Sequence, residues 1–479
     1  MKSIFLHIRQ KNRRITHMIK ENPLMPIKKN HSDFFKNGNT LDLKTRIRLL
    51  RALKQSVKAH ESDIMLALKK DLGKPTAEIW LAEIYIVLDE LNTLIKNLTF
   101  WAKPKRVKGK WLNTPSKDWI VPEPYGVTLH IAPWNYPFQL ALNPLIGAVA
   151  AGNTVVLKPS EHAPHTAAII EKITSNVFPK EWVAVVQGGP ETAESLLQLR
   201  WDYIFFTGGV RVGKLVAKAA AEHLTPTTLE LGGKNPCIVD HTANIKVSAR
   251  RIAWGKFMNC GQICMSPDYL LVHKSKYKAL LTALKGEIVR MYGDDPKVSE
   301  DYARLVHEKH ATAMVNLLEG QDILYGGEND VPSRYVAPTL VAVESLDNSI
   351  MQDEIFGPIL PILTYEDEAE IDHIVGHYDK PLSFYVFSER KKWANKLMKK
   401  HHYGGGMIND VIVYFTNQRL PFGGVGNSGV GSYHGKYSFD TFTHLKSYVD
   451  RPTWFDPIQR YAPYGNTFPM LQKILRFLS

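Results

Sequence analysis

From Gly126 onward the hydrophobic and polar positions alternate between short apolar runs and amphipathic stretches. The runs 127–131, 154–157, 183–186, 203–206 and 236–239 read as strands. The stretches near 138–151, 164–177, 191–199 and 211–223 read as helices. Strand and helix in turn predict right-handed crossovers and a mostly parallel sheet, a nucleotide-binding architecture. Upstream, Ile47, Leu50, Leu53 and Val57 recur near helical spacing within 41–72, with Gly73 and Pro75 as stop signals. A second long helix carries Ile84, Val87, Leu88, Leu91, Leu94, Ile95 and Leu98 on one stripe. Residues 103–122, rich in Lys, Pro and Trp, suit an exposed connection or an extended arm used in subunit contacts. A second α/β segment spans about 233–424, and the stretch 421–435 is Gly-rich. In the tail, Met470, Leu471, Ile474, Leu475 and Leu478 share a helical face, which docks on its own protein or lies on a membrane surface.

A chain of 479 residues is too long for one small core, so two or three domains are expected. Apolar content of 44% and charged content of 22% are those of an ordinary globular protein. Cys237, Cys260 and Cys264 cannot all pair, which favours a reducing compartment over a disulfide scaffold. With no apolar run of membrane-spanning length, the expected location is cytoplasmic. The net charge of +13 invites a nucleic-acid partner, yet residues 1–30 hold eight Lys/Arg against Glu21 alone. About half of the excess is thus a property of the leader, and a nucleic-acid partner is disfavoured. That leader reads as a solvated arm, as a membrane-surface or transit-like segment, or as sequence upstream of a start at Met18 or Met25.

Candidate chemistry gathers around 254–269, where Cys264 follows a Gly261-Gln262 turn. Glycine allows close backbone approach and glutamine offers amide groups, as a nucleophile needs; the plain alternative is a small buried hydrophobe. Glu230 lies between leucines ahead of a Gly pair, which suits a carboxyl of raised pKa or a buried ion pair with Lys234. Asn135, fixed between Pro133 and Pro137, offers an oxyanion donor or a helix cap. The turn 206–213 joins strand to helix and places Thr207, Gly208, Gly209 and Gly213 where a phosphate approaches a helix N-terminus; it is not the full dinucleotide fingerprint. Lys158 and Glu161 follow a strand and can grip ribose hydroxyls, while Glu354 and Phe356, two apart, share a side if extended. No cluster points to a metal.

In order and wording these pieces resemble the aldehyde dehydrogenase superfamily, and most closely its class 3 branch. The resemblance covers roughly 35–450. It rests on Met-Asn-Cys-Gly-Gln-Ile-Cys-Met-Ser-Pro-Asp-Tyr at 258–269, Leu-Glu-Leu-Gly-Gly-Lys-Asn-Pro at 229–236 and Leu-Pro-Phe-Gly-Gly-Val-Gly-Asn-Ser-Gly at 420–429. Tyr433-His434-Gly435-Lys436 points to the class 3 side. The resemblance implies an α/β fold of two Rossmann-type parallel-sheet domains plus a small β oligomerisation arm. Its parts would be a basic extension at 1–34, an NAD-binding domain at 35–232 with 103–122 joining the arm, a catalytic domain at 233–424, and a return through 425–479. It further implies oxidation of a small-molecule aldehyde with NAD, NADP being tolerated, by a homodimer. Cys264 would be the nucleophile, Glu230 the general base and Asn135 the oxyanion donor. Lys158 and Glu161 would bind the adenosine ribose, the 208–213 turn the pyrophosphate side of the cofactor, with Thr207 also at the cofactor, and Glu354 with Phe356 the nicotinamide ribose. Two positions depart from the pattern: Gly209 where serine is common and Ile263 where threonine is common. A thiolate near neutral pH predicts a depressed Cys264 pKa from oriented amides and the cofactor. A catalytically idle homologue acting as a binding protein is the competing reading, against which the intact Cys264, Glu230 and Asn135 argue.

Overall fold

The computed structural model describes residues 22–110, 113–465 and 467–478. The apolar run Val127–Ile131 is buried at every position, as are Thr154–Lys158 and Tyr203–Thr207. A strand covered on both faces has no solvent side, so it is buried throughout and mostly apolar, with Thr128 and His130 as buried polar exceptions in the first. These runs form the centre of a six-stranded sheet ordered Gly429–Val430, Thr227–Glu230, Tyr203–Thr207, Val127–Ile131, Thr154–Lys158, Val183–Val185. Every neighbouring pair is parallel except the first. The predicted helices lie between the strands as Gln139–Ala151, Pro164–Ser175, Pro190–Leu197 and Val210–Ala221. Leu129, Val156, Ile204, Phe206, Val216 and Leu229 are among the side chains that join sheet and helix in one apolar cluster.

A seven-stranded sheet carries the downstream α/β segment, ordered Asp322–Tyr325, Thr339–Ala342, Ile359–Tyr365, Tyr269–His273, Pro236–Val239, Ser383–Phe387, Gly405–Ile408. All its pairings are parallel but the first. Among the described residues, both sheets belong to one compact unit, made of 22–101 and 124–443. The stretch 103–122 is no bare connection. Lys105–Val107 pairs antiparallel with Lys117–Pro124, and Thr443–Asp450 completes a three-stranded sheet. Residues 102–123 and 444–479 make up this second unit.

Three local expectations change. The helix expected across 41–72 is two, Leu43–Ala59 and Glu61–Leu72, parted at His60. Asp42 starts the first by accepting from the Thr45 N–H at 2.8 Å, and Gly73 in a left-handed conformation ends the second. The last part of the expected solvated arm is helical, Met25–Lys36, with Leu24, Met25 and Ile27 against the apolar cluster and Asn22 donating to the Ser195 carbonyl at 2.7 Å. Residues 1–21 lie outside the described residues. The tail forms its helix, Thr467–Leu478, but Met470 and Leu475 stay exposed, so these two side chains do not dock on their own chain. Among the described residues no helix is long and apolar enough to cross a membrane.

Candidate active site

In the six-stranded sheet the chain moves one way from Val127–Ile131 to Thr154–Lys158 and Val183–Val185, and the other way from Tyr203–Thr207 to Thr227–Glu230. The two inner strands are parallel neighbours, so the reversal falls between them. Such a switch opens a crevice beyond the carboxyl ends of the strands. There the residues following Ile131 and those following Phe206 meet in a cavity of about 340 Å³. Asn135, Thr207, Gly208, Gly209, Glu230, Cys264, Glu354 and Phe356 all line it.

Cys264 reaches this cavity on a contorted segment. Asn259, Cys260 and Gly261 are consecutively left-handed, with φ of 50°, 53° and 73°. At Gly261 a Cβ would fall 2.2 Å from the Gly357 carbonyl oxygen, so no other residue fits. Gln262 does not supply amide groups to the thiol, contrary to expectation. Its Nε2 donates to the Asn259 and Arg304 carbonyls and its Oε1 accepts from the Val306 N–H, so the side chain pins the loop. The Cys264 carbonyl is held by Asn235 Nδ2 at 2.7 Å.

The carboxyl of Glu230 ends the strand Thr227–Glu230, which Tyr203–Thr207 and Gly429–Val430 flank. Neither of its carboxylate oxygens has a hydrogen-bond partner among the described residues, and Lys234 pairs instead with Asp268 at 2.7 Å. Burial pushes Glu230 well above the usual carboxylate range. Burial, then the Asp268 charge, also pushes Glu354 up, to about 8, against the Gly233 N–H and the charges of Lys234 and Lys256. Lys234 donates to the Asp353 carbonyl and Asp268 accepts from the Ile355 N–H, so their ion pair holds Glu354 from both sides. Glu354 and Phe356 lie in a loop, with Phe356 at φ 52°, rather than in an extended strand.

At the thiol the chain's own groups act against the expected depression, part of which the sequence assigns to the bound cofactor. Burial, then the Glu354 and Glu230 carboxylates, push Cys264 well above the usual thiol range, and the N–H groups of Cys264 and Met265 oppose this only in part. The chain's own groups therefore raise the pKa that the sequence predicts to be depressed. Cys237 and Cys260 are buried, as packing residues should be.

Asn135 does not cap the helix Gln139–Ala151; its Nδ2 donates to the Gln262 carbonyl at 3.0 Å. Lys158, Glu161 and Gly213 stand outside the cavity lining. Lys158 Nζ lies 2.5 Å from Glu161 Oε2. Burial raises Glu161, but the hydrogen bond and charge of Lys158 outweigh it and hold the carboxyl below its usual range. Gly213 is a packing glycine, since Leu231 occupies the space its Cβ would need, at 2.6 Å. Tyr136 also lines the cavity.

Sequence reading missed Leu140, Phe415, Phe422, Tyr433 and His434 on the cavity wall, and the supports Lys74, Glu83, Asn235 and Asp268. Asn235 lies within the Leu-Gly-Gly-Lys-Asn-Pro stretch and was within reach. Asp268 likewise lies within the quoted 258–269 stretch, whereas Lys74 and Glu83 join the site through Asn135, Phe138 and Gln139, more than fifty residues away.

A parallel-sheet crevice lined by a thiol and an unpartnered carboxyl defines an enzyme of covalent chemistry on a nucleotide-binding fold. The chain belongs to the aldehyde dehydrogenase family, whose sequence profile matches residues 27–448. It is 45% identical over 445 residues to the 4,4'-diaponeurosporen-aldehyde dehydrogenase of Staphylococcus aureus, across 92% of this chain and 97% of that protein. To aldehyde dehydrogenase family 3 member A2 of Macaca fascicularis it is 43% identical over 412 residues, across 86% of this chain and 85% of that one, as a class 3 likeness requires. The structure of the substrate-bound state of Staphylococcus aureus AldH superposes with a TM-score of 0.93 at 44% identity, covering 95% of this chain and 100% of that chain. The protein is an oxidoreductase that oxidises aldehydes with NAD or NADP, and the idle reading falls away.

Proposed function

We propose that this aldehyde dehydrogenase converts apolar aldehydes to carboxylic acids through a thioester on Cys264 that water, activated by Glu230, hydrolyses. One observation carries the reading: Cys264, the Asn135 carboxamide and the unpartnered Glu230 carboxyl line a single cavity. The Cys264 sulfur, once deprotonated, attacks the aldehyde carbon. The oxyanion that forms is stabilised by the Asn135 carboxamide and the Cys264 N–H. Glu230, as carboxylate, then takes a proton from the water that attacks the thioester, and carboxylic acid leaves. A base at this position favours hydrolysis over transfer of the acyl group to another acceptor.

The cofactor fits the residues present. Thr207 Oγ1, just ahead of the helix Val210–Ala221, is buried without a partner among the described residues, and none of their side chains caps that helix, so its free N–H groups suit a pyrophosphate. Lys158 and Glu161 would hold the adenosine ribose, and Glu354 with Phe356 the nicotinamide ribose. The dinucleotide, when bound, supplies the hydride acceptor. An ionised Glu161 accepts from a 2′-hydroxyl and repels a 2′-phosphate, which supports NAD as preferred and NADP as tolerated. Tenfold better efficiency with NADP, roughly 1.4 kcal/mol of preference, would contradict this.

Apolar side chains on the cavity wall, with Leu140, Ile412, Phe415 and Phe422 among them, support a hydrophobic aldehyde as substrate. Exposed Leu445, Tyr448 and Val449 on the three-stranded sheet support a homodimer built there. Three free cysteines support a reducing, cytoplasmic setting. Exposed Phe468 and Phe477 support a weak contact of the tail with a membrane surface. The deciding assay measures NADH formation from straight-chain and aromatic aldehydes, with Cys264→Ala as control. Turnover that favours the longer chains and vanishes in the variant is expected; equal turnover by the variant sinks the reading.

A further inference from the structure

Between the helices Glu61–Leu72 and Tyr85–Trp101 the chain turns at Gly73, makes the short helix Thr76–Ile79, and passes through a π-helical turn, Trp80–Ile84. Such a turn inserts a residue into the helical repeat and re-aims the side chains around it. Glu83 in this turn and Lys74 after the glycine form an ion pair with both side chains wholly buried. An ammonium has three N–H groups, and Lys74 has three acceptors. They are Glu83 Oε1 at 2.6 Å, the Asn135 carbonyl oxygen at 2.7 Å, and the Tyr136 ring face, 3.8 Å to its centroid. The other Glu83 oxygen accepts from the Phe138 N–H at 3.2 Å and the Gln139 N–H at 2.9 Å.

A single ion pair thus grips the segment 135–139 at both ends. Asn135, Tyr136 and Gln139 of that segment line the cavity. The Asn135 carbonyl also accepts from Asn259 Nδ2 at 3.0 Å, and Asn135 Nδ2 gives one N–H to the Gln262 carbonyl. One further N–H on that nitrogen remains. A buried ion pair is a costly way to fill space, and an apolar pair of equal volume packs as well or better. What the charges do that an apolar pair would not is hold polar backbone groups of the cavity wall.

We propose that Lys74, through its ion pair with Glu83, is the positioning residue of the Asn135 carboxamide, and so sets the geometry in which the oxyanion is stabilised. The inference rests on the reading of Asn135 as oxyanion donor. Lys74→Met keeps the length of the side chain and removes its charge. With NAD and hexanal, single-turnover NADH formation is expected to slow about 100-fold, the scale of a lost oxyanion donor. Alkylation of Cys264 by iodoacetamide, which builds no oxyanion, and NAD affinity are expected to stay within about threefold of the wild type. Lys74→Met added to Asn135→Ala is expected to bring no further loss beyond Asn135→Ala alone. Glu83→Gln, read the same way, serves if Lys74→Met does not fold, and failure of both to fold overturns the proposal in favour of a structural role. It is also overturned if turnover stays within about threefold, if alkylation and NAD affinity fall in parallel with it, or if the two losses multiply. Should Asn135→Ala itself leave the single-turnover rate intact, the oxyanion reading fails instead.

Discussion

Two carboxyl groups share the cavity with the thiol, and both are held toward the neutral form by burial. That arrangement has a sign that can be measured. Glu354 releases its proton at about 8 in the folded chain and near the ordinary value of 4.5 when unfolded. Between these values the folded state holds a proton that the unfolded state has lost, so the group's contribution to stability falls as pH rises and levels off above 8. Glu354→Gln cannot titrate. Its unfolding free energy relative to wild type is expected to climb from pH 5 to pH 8, by up to ~1.4 kcal/mol per pH unit, read by denaturant unfolding at each pH; a gap independent of pH would contradict the assignment. Glu230→Gln separates the chemical steps. A first turnover of NADH is expected to survive while steady-state turnover falls by about 10²-fold or more, because only release of the thioester needs the base. Equal loss in both phases would place Glu230 before the thioester. Because Cys264 is pushed up and not down, kcat/KM is expected to rise with pH across the neutral range. Nothing at 258–266 reveals that shift, since one of its sources, Glu354, is ninety residues further along the chain.

At the scale of elements, the strands were legible because they are buried on both faces, which forces uninterrupted apolar runs such as Tyr203–Thr207. Their carboxyl ends then located Asn135 and Thr207 without any knowledge of tertiary contacts; Glu230 stood out only by its flanking leucines and Gly pair, because its short strand Thr227–Glu230 was not legible. Less legible was the break at His60, where an apolar stripe continues across two helices and no Gly or Pro marks the join. The supports were illegible for another reason. Lys74 with Asn135 and Lys234 with Asp268 are pairings between distant segments, and neither partner advertises the other. The nucleophile segment itself is held by a close approach, Gly261 against Gly357. Gly261→Ala sets a Cβ into that carbonyl from a left-handed φ, and a loss of about 1–3 kcal/mol of stability is expected. Thermal unfolding checks this, and an unchanged Tm would show that the approach relaxes without cost. Activity is expected to fall further than stability, because the same shift displaces Cys264.

The whole molecule divides into a large unit with both parallel sheets and a second unit of 102–123 and 444–479. The second unit's sheet exposes Leu445, Tyr448 and Val449 on one strand, and such apolar exposure calls for a covering partner. Leu445→Glu with Val449→Glu is expected to shift the proposed dimer to monomer in sedimentation; a dimer untouched by both changes would move the interface elsewhere, and a monomeric wild type would contradict the dimer itself. What unites the two sheets functionally is the sulfur brought to the crevice of one by the segment that leads into the other. The covalent bond to that sulfur is therefore the measurement that tests the account most directly. Acid-quenched mixing of the Glu230→Gln protein with NAD and hexanal, followed by intact-mass and peptide mass spectrometry, is expected to show one acyl group on Cys264 and none in Cys264→Ala. An acyl group on any other residue, or NADH formed without an acyl-enzyme, would contradict it.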